Sequence, residues 1–421
     1  MFHSKYLIVG ASHAGLSALD AIRLIEPEGE VTLLCAESTP PYSPTILPYV
    51  VSGEVRAEEV FLRRSDRFER MGVRFEAGAR VVSVQAGDHS VELESGEKWE
   101  YEKLLLATGA APSIPRIEGL EGVSYHVLRT LEDAEKLRAA MSGAKEAIVL
   151  GAGLIGMHAA ENMLKAGLKV RVVEALDQVL PAYFDPRGAD LIERAFLEQG
   201  IEILTGERVE GVAQSGGRVE LSLSSGKTLS GDLLLVSTGV KPRTEYLKGS
   251  GVEVEEGVVV DDRMRAGGVE DVWAAGDVAQ ARGFFGDSKR VNATVLSAVE
   301  QGRIAGMDMV GDSALQPYGG GMAVNTYTFF KHRAFSVGMG KVSESEDDFE
   351  VDQVYLPSSF CYQKLVFSGG YLVGASGINT ELDPGVLYQL IRRKVNLEEE
   401  KGVFSAKPLE MGRVLMSQVW R

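Results

Sequence analysis

One three-part pattern occurs twice in this chain, and it restricts the fold more than any other feature. An apolar stretch at residues 6–9 runs into closely spaced small residues from Gly10 to Gly15. A helical pattern to Ile25 and a second apolar stretch at 31–34 follow. The same succession returns at 147–150, from Gly151 to Gly156, through Lys165, and at 170–173, ending on Glu174. Strand, glycine turn, helix and parallel strand make a βαβ unit. The chain is therefore α/β, with two Rossmann-like openings.

Each opening is later completed by a similar strand and loop, Leu104-Leu105-Leu106-Ala107-Thr108-Gly109 first and Leu233-Leu234-Leu235-Val236-Ser237-Thr238-Gly239 second. Between opening and completion lie stretches of alternating polarity, 81–93 and 209–223, which predict antiparallel strands covering each sheet. After Gly239 come a strand-like 257–260, the run Val272-Trp273-Ala274-Ala275-Gly276-Asp277 and a helix over 292–309, which resume the first domain. From about Gly320, strands at 322–328, 353–356, 364–367 and 371–376 and a helix at 384–393 predict a separate α+β domain. The expected fold is two three-layer nucleotide-binding domains, one at 1–112 and 243–319 and the other inserted at 113–242, plus a C-terminal α+β interface domain at 320–421.

A chain of 421 residues accommodates this architecture. Its 45% apolar and 25% charged composition is that of a folded globular protein. No apolar run reaches the roughly 18 to 20 residues a spanning helix needs, and the start shows no secretion pattern. The net charge of −16 repels phosphate backbones and anionic lipid, so neither nucleic acid nor a membrane is an expected partner. Cys35 and Cys361 stand alone, too few for a disulfide framework or a metal cluster, and read as packed thiols in a reducing, cytoplasmic setting.

A glycine turn that opens a helix aims backbone N–H groups and the positive helix end at a pyrophosphate, with no Cβ in the way. The second turn, Gly151, Gly153, Leu154, Ile155 and Gly156, carries the full GxGxxG pattern. Its strand ends on Glu174, an acceptor for both hydroxyls of an adenosine ribose that repels a 2′-phosphate, so NAD(H) is favoured over NADP(H). The first turn, Gly10, Ser12, His13, Ala14 and Gly15, has serine at the middle glycine position, whose hydroxyl can donate to phosphate. Glu37, three residues beyond Leu34, is assigned the ribose role there.

Taken in this order with the two glycine turns, Ala107-Thr108-Gly109 and Ala275-Gly276-Asp277 resemble the pyridine nucleotide-disulfide oxidoreductase superfamily over about the first 310 residues. The resemblance implies FAD in the first domain, held also by Ala107, Thr108, Gly109, Gly276 and Asp277, with Asp277 at the ribityl and pyrophosphate end. It implies NAD(H) in the inserted domain, where Thr238 and Gly239 join the turn. Hydride exchange between the two cofactors needs positioning more than side-chain chemistry.

The sequence departs from that family at 41–49, Pro-Tyr-Ser-Pro-Thr-Ile-Leu-Pro-Tyr, which has no thiol where disulfide reductases carry their redox cysteine. Thr45 falls at the cysteine position and is a flavin-proximal candidate. His158 stands where many relatives have a glutamate near the nicotinamide. It is a nicotinamide-proximal candidate or a helix-packing histidine. Without a thiol relay, electrons leave the flavin directly.

The segments 41–53, 125–131 and 276–284 narrow the resemblance to the flavoprotein subunits of complexes that oxidise aldehydes or 2-oxoacids, such as phenylglyoxylate dehydrogenase and tungsten aldehyde oxidoreductases. That implies an iron–sulfur, ferredoxin-like partner subunit and NAD⁺ reduction. A stripe of Leu409, Val414, Leu415, Val419 and Trp420 reads as core, subunit packing or partner docking. A stand-alone NADH:ferredoxin or rubredoxin reductase and a non-catalytic FAD-binding assembly or sensing module stay open as alternatives.

Overall fold

A computed structural model of the chain describes residues 2–342 and 348–419. They divide into two compact units, 1–46 with 56–111 and 240–322, and 47–55 with 112–239 and 323–421.

The first unit is built on a seven-stranded sheet. Its parallel part runs Val73–Ala77, Val31–Cys35, Phe2–Val9, Lys98–Leu106, Val272–Ala274. The strand Lys98–Leu106 serves two partners. Its second half pairs with Val272–Ala274, and its first half pairs antiparallel with Ser90–Leu93, which pairs in turn with Val81–Gln85. The centre is apolar on both faces, as a parallel sheet requires: Leu7, Ile8, Leu33, Leu104 and Leu105 are all fully buried. The helices His13–Ile25 and Val295–Met309 pack closely because Gly302 and Gly306 leave no Cβ between them. A Cβ there would lie 2.1 Å from the carbonyl of Ala14 and 2.5 Å from that of Ala18.

In the second unit, a four-stranded parallel sheet runs Glu202–Leu204, Lys169–Val173, Glu146–Leu150, Leu233–Val236. A three-stranded antiparallel sheet of Val209–Ser215, Arg218–Leu223 and Thr228–Gly231 accompanies it. The C-terminal five-stranded antiparallel sheet, ordered Val324–Phe329, His332–Gly338, Tyr371–Ile378, Cys361–Ser368, Glu350–Leu356, belongs to the same unit. From 323 onward, the residues expected as a separate 320–421 domain thus lie in one unit with 112–239, while 320–322 and 240–242 belong to the first unit.

The physical reason for that grouping is a set of polar ties. Lys364, only 2% exposed, donates to Asp185 at 2.9 Å and to the carbonyl of Val342 at 2.6 Å, while Asp185 also caps the helix Pro186–Glu198. Glu161, 3% exposed, accepts from the N–H of Phe330 at 2.8 Å and pairs with Lys165. A buried ion pair that lost one partner would leave an uncompensated charge, so these ties hold the C-terminal sheet to the helices Leu154–Lys165 and Pro186–Glu198.

Strand boundaries follow the expected ones within a few residues, but His332–Gly338 was not anticipated. It is joined to its hairpin partner by Phe330-Lys331, with Phe330 at φ 50°. A two-residue turn usually announces itself with Asn-Gly or Asp-Gly, and this one does not. The C-terminal stripe forms the helix Pro408–Val419, with Leu415 buried and Val414 exposed, while Trp420 lies outside the described residues. Among the described residues no helix is long and apolar enough to cross a membrane.

Candidate functional site

The two glycine turns have the same construction. Gly10 and Gly151 sit at φ +115° and +99°, where an added Cβ would lie 2.1 Å from the carbonyl of Ala107 and 2.3 Å from that of Ser237. Gly15 and Gly156 pack against their own turns, an added Cβ being 1.9 Å from the carbonyl of Gly10 and 2.0 Å from that of Gly151. Each turn is tied to the end of the second strand by one backbone bond, Gly10 N–H to Leu34 O and Gly151 N–H to Val173 O, both 2.8 Å. First and third glycines are therefore required by the chain itself.

At the middle position the demand is different. A Cβ on Gly153 would meet nothing within 4 Å. Ser12 and Gly153 are both extended N-caps, and neither helix has a side-chain cap or an acid in its first turn. Four other long helices have closed starts: Thr130, Asp185, Thr294 and Asp383 each accept a backbone N–H there. Uncapped N–H groups and the positive helix end fit a pyrophosphate in both units, and in the second the space at Gly153 is open as well.

The residues around the turns fall into two sets. In the second unit, Glu174 accepts from the N–H of Ala152 at 2.7 Å and from that of Leu176 at 2.9 Å, which lays its carboxylate over the turn. Thr238 donates to the carbonyl of Ser113 at 2.7 Å, and Gly239 takes φ +113° with open space at its Cβ position. His158, in the second turn of the helix Leu154–Lys165, meets the ring of Tyr327 edge-on at 4.3 Å and that of Tyr49 at 6.2 Å. Its Nε2 lies 3.3 Å from the carbonyl of Thr328, so that nitrogen carries the proton, and burial lowers the pKa of the imidazole. This is a packing environment for His158. The hydroxyl of Tyr327, itself 4% exposed, has no hydrogen-bond partner among the described residues.

In the first unit, Glu37 accepts from the hydroxyl of Tyr42 at 2.5 Å. Thr108 Oγ1 lies 3.0 Å from the hydroxyl of half-buried Tyr246 and donates to the carbonyl of Arg243 at 3.3 Å. Gly276 takes φ +80° and its N–H donates to buried Gln301 at 2.8 Å, which presents half-buried Asp277 beside the first turn, where its charge acts on His13. The segment 41–46 comes back to that turn. Thr45 Oγ1 lies 2.8 Å from Ser43 Oγ, which lies 2.8 Å from His13 Nε2. Ser43, Tyr42, Gln301 and Tyr246 were not expected from sequence. Ser43 sits two places from Thr45 in the segment already singled out, whereas Gln301 and Tyr246 had no sequence signal. Cys35 is held inert, its thiol pushed up to about 11 by burial.

The pyridine nucleotide-disulphide oxidoreductase family model matches residues 4–302. The NADH-dependent phenylglyoxylate dehydrogenase subunit epsilon of Aromatoleum evansii is 49% identical over 100% of this chain and 99% of that protein. The rubredoxin-NAD(+) reductase of Pseudomonas putida is 32% identical over 74% of this chain and 81% of its own. Among solved structures, a NAD-dependent persulfide reductase from A. fulgidus superposes with a TM-score of 0.84 at 26% identity, covering 94% of this chain and 78% of the other. The paired glycine turns, the Gly276-Asp277 corner and these similarities lead to one conclusion: the chain belongs to the pyridine nucleotide-disulphide oxidoreductase family, as an oxidoreductase whose cofactors are FAD and NAD(H).

Proposed function

We propose that this chain is the electron-exchange flavoprotein of a larger complex that oxidises an aldehyde or a 2-oxoacid, linking NAD(H) to an iron–sulfur partner subunit, with NAD⁺ reduction as its working direction. The observation that carries this reading is the pair of uncapped glycine-turn helices, one in each unit, combined with a thiol-free segment at 41–49. FAD would be held by Gly10, Ser12, His13, Ala14, Gly15, Glu37, Thr45, Ala107, Thr108, Gly109, Gly276 and Asp277. NAD(H) would be held by Gly151, Gly153, Leu154, Ile155, Gly156, Glu174, Thr238 and Gly239.

When bound, FAD supplies a carrier that takes a hydride and gives up electrons singly. The chain's own part is to bind and orient. The turn N–H groups neutralise pyrophosphate charge, Glu174 accepts from ribose hydroxyls and disfavours a 2′-phosphate, and Thr45 replaces a thiol with a group that cannot form a disulfide. Direct electron exit is what an iron–sulfur partner requires. End-to-end identity of 49% to a subunit of an NADH-dependent phenylglyoxylate dehydrogenase supports the complex. The 32% identity to a rubredoxin-NAD(+) reductase favours a second reading, a stand-alone reductase of a small iron–sulfur protein.

The test is anaerobic stopped-flow mixing of the FAD-loaded protein with NADH and, separately, NADPH. NADH should bleach the flavin at least about tenfold faster than NADPH. Bleaching by neither would overturn the enzymatic reading in favour of a non-catalytic module. Co-purification with cluster-bearing subunits decides for the complex, and isolation without them decides for the stand-alone reductase.

A further inference from the structure

A hydrogen-bonded line joins His13 and Thr45, two residues assigned above to the FAD site, through Ser43, which has no assigned part in holding the nucleotide. Its two links, both 2.8 Å, join the first residue of the uncapped helix to the position where the family resemblance places a redox cysteine. An imidazole and two hydroxyls can each accept one proton while giving up another, so the line can pass a proton from end to end. Half-buried His13 stands at one end, with the charge of Asp277 opposing the burial that lowers its pKa. Thr45 stands at the other.

The stoichiometry of the proposed reaction requires such a path. Oxidation of NADH by one-electron acceptors yields NAD⁺, two electrons and one proton. The proton and both electrons arrive together as hydride, whereas an iron–sulfur centre accepts electrons alone. One proton per NADH must therefore leave by another route, and in the direction of NAD⁺ reduction one must enter.

Resting on the function proposed above, we propose that Thr45, Ser43 and His13 form that route. Thr45 accepts the departing proton as Ser43 takes one from Thr45, His13 takes one from Ser43, and the imidazole releases one to solvent. The two electrons pass separately to the iron–sulfur partner, and the whole sequence reverses for NAD⁺ reduction.

The test separates the two half-reactions in the FAD-loaded protein and in the variants Ser43→Ala, Thr45→Val, Thr45→Ser and His13→Ala. Flavin reduction by NADH and its reoxidation by excess ferricenium are followed by stopped flow in H₂O and D₂O, and proton release is followed with an indicator dye. Reoxidation of Ser43→Ala and Thr45→Val should slow by about tenfold more than reduction does. Their proton release should lag, Thr45→Ser should recover wild-type behaviour, and added imidazole should rescue His13→Ala. His3→Ala, at an exposed histidine near the far end of the strand Phe2–Val9, should leave the ratio of the two rates as it is.

Equal slowing of both half-reactions, an unchanged ratio, or loss of FAD from Ser43→Ala and Thr45→Val alike would overturn the relay and leave the line a brace for the segment 41–46. Failure of the wild type to be bleached by NADH would instead overturn the underlying function.

Discussion

The two glycine turns are copies in backbone and differ in one atom-level respect. In both, the first and third glycines are imposed by the chain, because a Cβ would strike a backbone carbonyl at 1.9 to 2.3 Å. In both, the middle residue is extended, at φ −96° for Ser12 and −75° for Gly153, a conformation open to any residue. Among the described residues nothing occupies the Cβ position of Gly153. The contrast separates two kinds of constraint inside one six-residue motif. Glycines one and three belong to folding, and the middle residue belongs to the ligand. Serine in the first turn and glycine in the second are thus statements about two different nucleotides.

The largest test of that division is a methyl group at the third position of either turn. Gly15→Ala and Gly156→Ala must each push the helix off its strand, because the obstructing atom is a backbone carbonyl that cannot rotate away. Each should destabilise its unit by about 3 to 5 kcal/mol, seen as a lower denaturant midpoint and poor soluble yield. A midpoint within error of the wild type would mean that the third glycines are not structural.

On the proposed function the second unit would also read its nucleotide through Glu174, whose carboxylate lies against the N–H of Ala152. Glu174→Arg removes an acceptor for ribose hydroxyls and supplies a partner for a 2′-phosphate. The ratio of kcat/KM for NADH over NADPH should fall on the order of 100-fold. A shift under about threefold would detach coenzyme choice from this strand end and break the parallel between the turn and its ribose acid.

How legible each feature was in sequence follows the same division. The first and third glycines of each turn could be read because local backbone geometry dictates residue type there, the acid at the second strand end because ribose hydroxyls need an acceptor, and the Gly276-Asp277 corner through the family resemblance. The antiparallel stretches 81–93 and 209–223 could be read from their alternation, whereas the helices Leu131–Met141 and Pro186–Glu198 and the strands Val73–Ala77, Glu202–Leu204 and His332–Gly338 were not read. Two tertiary features were invisible as well. The contact between Thr45 and His13 runs through Ser43, and neither alternation nor a motif signals a hydrogen bond between side chains 30 residues apart. The grouping of the C-terminal sheet with the inserted domain depends on Lys364 reaching Asp185 across 179 residues, and on the orphan-turn hairpin at Phe330-Lys331. Lysine in a strand reads as solvent-facing on the usual pattern, so its burial was invisible until the pairing was seen.

Exchanging the middle residues sharpens the comparison with smaller effects. Gly153→Ser fits the existing backbone without a clash, so the denaturant midpoint should correspond to a change within about 0.5 kcal/mol. The side chain would enter the space reserved for pyrophosphate, and NADH should bind about tenfold more weakly by titration of intrinsic fluorescence. A stable protein with unaltered NADH affinity would mean that the open space above Gly153 is not where the phosphate lies.

The smallest effect is expected from the reverse exchange. Ser12→Gly removes a hydroxyl that does not cap its own helix and so remains available to phosphate. Losing one such hydrogen bond costs about 1 kcal/mol, and closer backbone approach offsets part of it, so FAD should bind about threefold more weakly in the reconstituted apoprotein. Glycine also gives the unfolded chain more freedom, which should lower stability by up to about 1 kcal/mol whether or not FAD is present. The two contributions separate in unfolding measured with and without FAD. A loss confined to the FAD-loaded protein assigns the serine to phosphate, while an equal loss in both assigns it to the chain and places the first turn's middle residue on the folding side of the division.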